Sequence, residues 1–128
     1  MIYLDTSVAL AHLLAEDRRP PDALWKQPLV SSRILEYELW TRLNTRGLGA
    51  SHGEAARRLL ERLALLELLP NVLARALEPF PAPVRTLDGL HLASIEFLRG
   101  LGQPLELASY DDRLTAAART LGIPIAGL

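Results

Sequence analysis

Short apolar runs alternate along this chain with longer segments in which apolar positions recur every three or four residues, so strands and helices are predicted in turn. Ile2-Tyr3-Leu4 predicts a strand. Ser7 to Ala15 predicts an apolar helix, stopped by the polar Glu16-Asp17-Arg18-Arg19 and by Pro20-Pro21. Asp22 to Lys26 has room for one helical turn, and Leu29-Val30-Ser31 reads as a second strand. Ser32 then caps a helix that runs to about Arg46, before Gly47. Ser51 opens a further helix, from Glu54 to about Leu66, and Leu68-Leu69 before Pro70 reads as a very short third strand. A helix is predicted over Val72 to Glu78, and Pro79-Phe80-Pro81-Ala82-Pro83 reads as a rigid loop. Thr86 caps a helix to about Arg99, Leu105 to Ser109 forms a strand, and Asp111 to Leu121 forms a helix. Ile123 to Ala126 adds an edge strand.

This alternation predicts an α/β protein with three layers, α/β/α, around a central parallel sheet of four to five short strands. Ligands of open parallel sheets bind beyond the carboxyl ends of the strands, where strand order reverses. Asp5 and Asp111 each follow a predicted strand directly. If the first and last of these strands are neighbours, both carboxylates open into one crevice, with Glu38 and Asp88 in the first turns of nearby helices. The length of 128 residues suits one domain over 1–128.

Composition narrows the chemistry. Apolar residues make up 49% of the chain, but the longest run, Leu63 to Leu69, contains Glu67 and falls far short of the roughly 20 residues of a membrane span. Met1 leads straight into a strand with no leader-like segment, so a cytoplasmic protein away from the membrane is expected. The absence of cysteine excludes disulfides, thiolate catalysis and cysteine-held zinc. A metal would be held mainly by oxygen, which favours hard cations such as Mg²⁺ or Mn²⁺. A net charge of −1 argues against a broadly basic surface that coats nucleic acid.

Each acid also has a plain structural reading. Asp5 and Asp111 suit helix N-caps, Asp88 suits the dipole of a first helical turn, and Glu38 stands four residues before Arg42. A helical wheel does not separate Glu38 from Glu36. Taken together, however, four carboxylates in one cleft would repel by about 4 kcal/mol per pair at roughly 4 Å and an effective dielectric of about 20, a cost that a divalent cation removes. His12, His52 and His91 lack paired metal-ligand spacing and read as structural. Trp25, Trp40 and Tyr37 read as core or interface residues. Arg57, Arg58 and Arg62 form a solvated stripe beside Leu59, Leu60, Leu63 and Leu66, an apolar arc suited to a partner, and Arg33, Arg42 and Arg46 are candidates for phosphate contacts.

Four blocks carry a family resemblance: Met1-Ile2-Tyr3-Leu4-Asp5-Thr6-Ser7; Ser31-Ser32 through Glu38-Leu39; Leu87-Asp88-Gly89-Leu90-His91-Leu92-Ala93; and Ser109-Tyr110-Asp111 with Leu114 and Gly122. In order and spacing they resemble the PIN domain, and within it the VapC-type toxins of type II toxin–antitoxin pairs. The resemblance implies a PIN-like fold and an endoribonuclease dependent on one or two Mg²⁺ or Mn²⁺ ions. It places the acidic quartet, catalytic and metal-holding, at Asp5, Glu38, Asp88 and Asp111. Ser7 and Ser109 match supporting hydroxyl positions. It is this family register, counted from Ser31-Ser32, that selects Glu38. Gly89 stands where Ala is usual, and Ser109 where Thr is commoner. The implied partners are RNA, a small cognate antitoxin and a second copy of the chain. A PIN nuclease of RNA processing without an antitoxin, or a non-catalytic PIN module, would show the same fold. A phospho-relay receiver wants an acidic pair after its first strand and a late Lys. A haloacid-dehalogenase-like phosphatase wants Asp where Ser7 stands.

Overall fold

Strand β1 (Ile2–Leu4) is buried on both faces, and the fold is laid out around it in the computed structural model, which describes residues 1–128. It pairs in parallel with β2 (Leu29–Ser32) on one side and β4 (Glu106–Ala108) on the other, while β3 (Leu63–Leu66) continues the sheet beyond β2. The order β3-β2-β1-β4 is parallel throughout and reverses between β1 and β4, so the first and last strands are neighbours. Side chains alternate across this sheet. Ile2, Leu4 and Leu29 join a core with Val8, Leu35, Leu39, Leu43, Ala56 and Leu59, whereas Tyr3, Val30 and Leu107 join one with Leu92, Ile95, Leu98, Leu114 and Ala117. The first core is covered by α1 (Thr6–Leu13), α2 (Arg33–Thr45) and α3 (Gly49–Glu61). The second is covered by α5 (Thr86–Gly100), on which α4 (Pro70–Ala76) packs, and α6 (Asp112–Thr120). The expected three layers are present.

Local chemistry explains the helix ends. Asp5, Ser32 and Asp111 accept backbone N–H groups of α1, α2 and α6, meeting donors that a helix start leaves unpaired. Gly47 and Gly122, after α2 and α6, adopt φ of 68° and 71°, a left-handed conformation that glycine reaches without a Cβ clash. A 3₁₀ turn occupies Asp22–Lys26.

Several expectations need correction. The third strand is Leu63–Leu66 and not Leu68-Leu69, and α3 starts earlier, at Gly49, and stops at Glu61, short of Leu66. A short leucine run satisfies helical and strand patterns alike, and pairing of Leu63 with Leu29 and of Leu66 with Ser32 decides it. Leu59 and Leu63 are therefore core residues, not part of an exposed arc. Ile123 to Ala126 makes one bridge, Leu107 to Ile125, and no strand. Thr86 is the first residue of α5, behind Arg85, and does not cap it. Glu38 lies beyond the first turn of α2, six residues into the helix. Tyr37 is exposed, while Trp40 packs on the first core. No helix is long and apolar enough to cross a membrane.

Two substitutions test this packing by urea unfolding. Leu39→Ala, at a fully buried position on α2, is expected to destabilise by about 2–5 kcal/mol through lost transfer energy and a cavity. Gly89→Ala on α5 is expected to stabilise by about 0.5–1 kcal/mol, because an added Cβ meets Phe80 and Val84 at ordinary contact distances of 3.5 and 3.6 Å.

Candidate functional site

Beyond the carboxyl ends of β1 and β4 the surface opens into a cleft of about 960 Å³, at the point where strand order reverses. Asp5, Glu38, Asp88 and Asp111 all line it, although they come from the end of β1, from α2, from α5 and from the cap of α6. Glu16 and Asp17 add two further acids to its wall, against the arginines Arg18, Arg42 and Arg85. Acid outweighs base in this cleft, so it favours a cation.

Asp5 is the most enclosed of the four, with 5% of its surface exposed. Its Oδ2 accepts from Ser7 Oγ at 2.6 Å, from Ser109 Oγ at 2.8 Å and, more weakly, from Ser7 N at 3.4 Å. The two serines also receive the backbone of the loop before α6, since Tyr110 N donates to Ser7 Oγ and Asp111 N to Ser109 Oγ, each at 2.9 Å. Glu38 is held through Oε1, which accepts from Thr6 Oγ1 at 2.8 Å and meets His91 Nε2 at 2.7 Å. Glu38 makes no ion pair with Arg42, the partner that its plain structural reading offered. Asp111 uses Oδ1 to cap α6 through Arg113 N and Leu114 N. Each of these three carboxylates thus commits one oxygen to the scaffold. The other oxygens are Asp5 Oδ1, Glu38 Oε2 and Asp111 Oδ2.

Arg85, at the N-cap of α5, lines the cleft. It donates from Nε to Asp88 Oδ2 at 3.0 Å and from its terminal nitrogen to Asp111 Oδ2, bridging the two carboxylates. Both contacts raise its already high pKa, the hydrogen bond to Asp88 most of all. The Asp88 carboxyl is nevertheless pushed above the usual carboxylate range. Burial is the main cause, Asp111 and Asp5 add like charge, and Arg85 offsets only part of this. With Asp88 and Asp111 turned to Arg85, no three His, Asp or Glu side chains close around a common point where an ion would bind.

Ser7 lines the cleft, and Ser109 stands behind Asp5 as its second hydroxyl donor. Of the three arginines proposed for phosphate, Arg42 reaches the cleft, whereas Arg33 is occupied by Glu67 and Glu36. Reading the sequence missed Thr6, Arg85 and His91. His91 is buried and touches Glu38, and its position three residues after Asp88, on the same face of α5, was the available signal. The other two histidines stay structural: His12 lies against Trp25 and His52 hydrogen-bonds Ser51.

Residues 2–120 match the family described as the PIN domain. The chain belongs to the PIN-domain family. Among relatives, this PIN domain is 38% identical to "Ribonuclease VapC46" of Mycobacterium tuberculosis over 97% of the chain and 95% of that protein. It is 30% identical to "Ribonuclease VapC47" of the same species over 95% and 93%. Two solved structures share the fold: a toxin–antitoxin complex from Klebsiella pneumoniae, with a TM-score of 0.69 at 17% identity and coverage of 94% of each chain, and M. tuberculosis VapC20, a sarcin–ricin-loop-cleaving toxin, with a TM-score of 0.66 at 23% identity and coverage of 91% and 95%. The PIN-like architecture expected from the four sequence blocks is the one observed.

The raised pKa of Asp88 has a stability consequence of definite sign. A carboxyl whose pKa rises on folding stabilises the fold while protonated, and that contribution is lost as pH rises through the folded value. Asp88→Asn, which mimics the protonated form, is expected to melt above the wild type near neutral pH, on the order of a few °C. The gap should close as pH falls from 8 to 4. Scanning calorimetry across that range checks both the sign and the closing.

Proposed function

We propose that this PIN domain is an endoribonuclease that hydrolyses RNA phosphodiesters with Mg²⁺ or Mn²⁺, acting as the toxin of a toxin–antitoxin pair. The observation that carries the reading is the convergence of Asp5, Glu38, Asp88 and Asp111, remote in sequence, on one cleft. The ribonuclease names of relatives aligned over nearly the whole chain support it. So does the presence of all four acids, where a non-catalytic module has no need of them.

The donor set fits a hard cation. It is all oxygen, each scaffold-bound carboxylate keeps a second oxygen outside the scaffold, and the Arg85 guanidinium between Asp88 and Asp111 stands where positive charge is favoured. Asp5, Glu38 and Asp88 would hold the main ion, with Asp111 holding a second or orienting the attacking water. Such a bound cation lowers the pKa of water and neutralises charge on the phosphate and the leaving oxygen. The chain's own part is to fix the carboxylates through Ser7, Ser109, Thr6 and His91, and to release Asp88 and Asp111 from Arg85. Arg42 and Arg18 on the cleft wall would meet the RNA backbone.

An antitoxin fits the surface beside the cleft. An apolar groove runs between α4 and α5, with Leu73 and Leu77 exposed, and it shares Arg85 and Thr86 with the cleft, so a helical segment lying there would reach the acids. The same reading takes residues 1–128 as one domain, working as a homodimer in the cytoplasm.

Cleavage of labelled RNA by purified protein tests the activity. Discrete products with 5′-phosphate and 3′-hydroxyl ends are expected with Mg²⁺ or Mn²⁺ and none with EDTA. Asp5→Asn and Asp88→Asn should each lose on the order of 10²–10³-fold in rate. Folded protein that leaves RNA intact under every condition would overturn the nuclease reading.

A further inference from the structure

His91 is the one imidazole that touches the acidic cluster, and it does so from inside the protein, with 1% of its surface exposed. Its Nδ1 lies 2.8 Å from the Tyr3 hydroxyl, its Nε2 lies 2.7 Å from Glu38 Oε1, and the same Nε2 stands 4.0 Å from Asp5 Oδ1. A continuous buried line therefore runs from β1 through α5 to the carboxylate of α2.

The direction of the Glu38 bond follows from the carboxylate itself, which can only accept, so the imidazole carries a proton on Nε2. Burial holds the phenol in its neutral form. With Nε2 protonated, Tyr3 O–H donates to Nδ1 of a neutral ring, or accepts from Nδ1–H of a protonated one. Either way Nε2–H donates to Glu38. With Thr6 also donating, Oε1 is saturated, and Oε2 is left as the oxygen without a protein partner.

We propose that His91 is a positioning residue for the metal-holding carboxylate Glu38, with Tyr3 fixing the imidazole so that only Glu38 Oε2 is offered to the ion. The inference rests on the metal-dependent reading above. Partners of this kind, which orient a ligand without touching the metal, are worth on the order of 10- to 100-fold in metal affinity or rate when removed.

The test compares His91→Gln with His91→Asn, using Mn²⁺ alone as probe in titration calorimetry and RNA cleavage as a second readout. The Gln amide nitrogen replaces Nε2 and keeps the bond to Glu38. The Asn amide nitrogen replaces Nδ1, keeps the bond to Tyr3 and cannot reach Glu38. Mn²⁺ affinity is expected within about threefold of wild type for Gln, and reduced on the order of 10- to 100-fold for Asn, with kcat falling and the KM for RNA little changed. A purely structural histidine would not produce that order, so equal losses, or an Asn variant with wild-type affinity, overturn the proposal. A measurement on wild-type protein stands beside it should a variant fail to fold. The His91 Nε2–H resonance in a ¹⁵N-histidine spectrum should shift on Mg²⁺ addition, and no shift overturns the proposal. Wild-type protein that binds no Mn²⁺ would sink the metal reading itself, and this inference with it.

Discussion

A carboxylate held almost wholly out of water at the end of the central strand organises the rest of this structure. Asp5 is 5% exposed, and a buried charge without partners is severely unfavourable, so the chain surrounds one of its oxygens with the hydroxyls of Ser7 and Ser109 and the amide of Ser7. Those serines receive the amides of Tyr110 and Asp111 in turn. Satisfying Asp5 thereby joins the β1–α1 junction to the β4–α6 junction and fixes where Asp111 stands. The pairing of β1 with β4 brings the two junctions together, and the hydrogen bonds around Asp5 then tie them.

The structural and chemical readings of the acids are compatible, because a carboxylate has two oxygens. Asp5 and Asp111 are N-caps, as their positions between strand and helix suggested, and each spends only one oxygen on the cap. Glu38 follows the same division, with Thr6 and His91 on Oε1. The scaffold interactions orient the oxygens that remain. Asp88 differs in being held from the solvent side by Arg85, which also reaches Asp111, and burial leaves it reluctant to ionise. Such a cluster carries a folding cost, since an interior packed with neutral groups would fold more favourably.

Much of the fold was legible along the chain. The strands at Ile2–Leu4 and Leu29–Ser32 and the helices on α2, α5 and α6 announce themselves through apolar spacing and through Ser32, Asp111, Gly47 and Gly122 at their ends. The failure came at Leu63–Leu66, where four apolar residues carry no period that distinguishes strand from helix and the decision belongs to a neighbouring strand. In the site, Asp5 and Asp111 were readable because each stands between the carboxyl end of a strand and the start of a helix. Glu38 was not separable from Glu36 on a wheel and needed the family register. Thr6 and His91 gave little local sign, for their partner Glu38 lies 32 and 53 residues away, and of the two partners of Arg85 only Asp88 is local while Asp111 lies 26 residues away.

By itself, then, the sequence determined the alternation of elements, the parallel sheet that alternation requires, the capping chemistry at the strand–helix junctions and the exclusion of thiolate ligands that follows from having no cysteine. These depend on neighbours within a few residues or on composition. Tertiary structure alone decided which strand took the edge beside β2, that Asp88 and Asp111 share Arg85, and that a histidine on an apolar helix face became the partner of Glu38. The physical reason is that hydrogen bonds and ion pairs between side chains are chosen by proximity in space. A short apolar run or a lone arginine has several possible partners along the chain, and only the packed sheet brings one of them within reach.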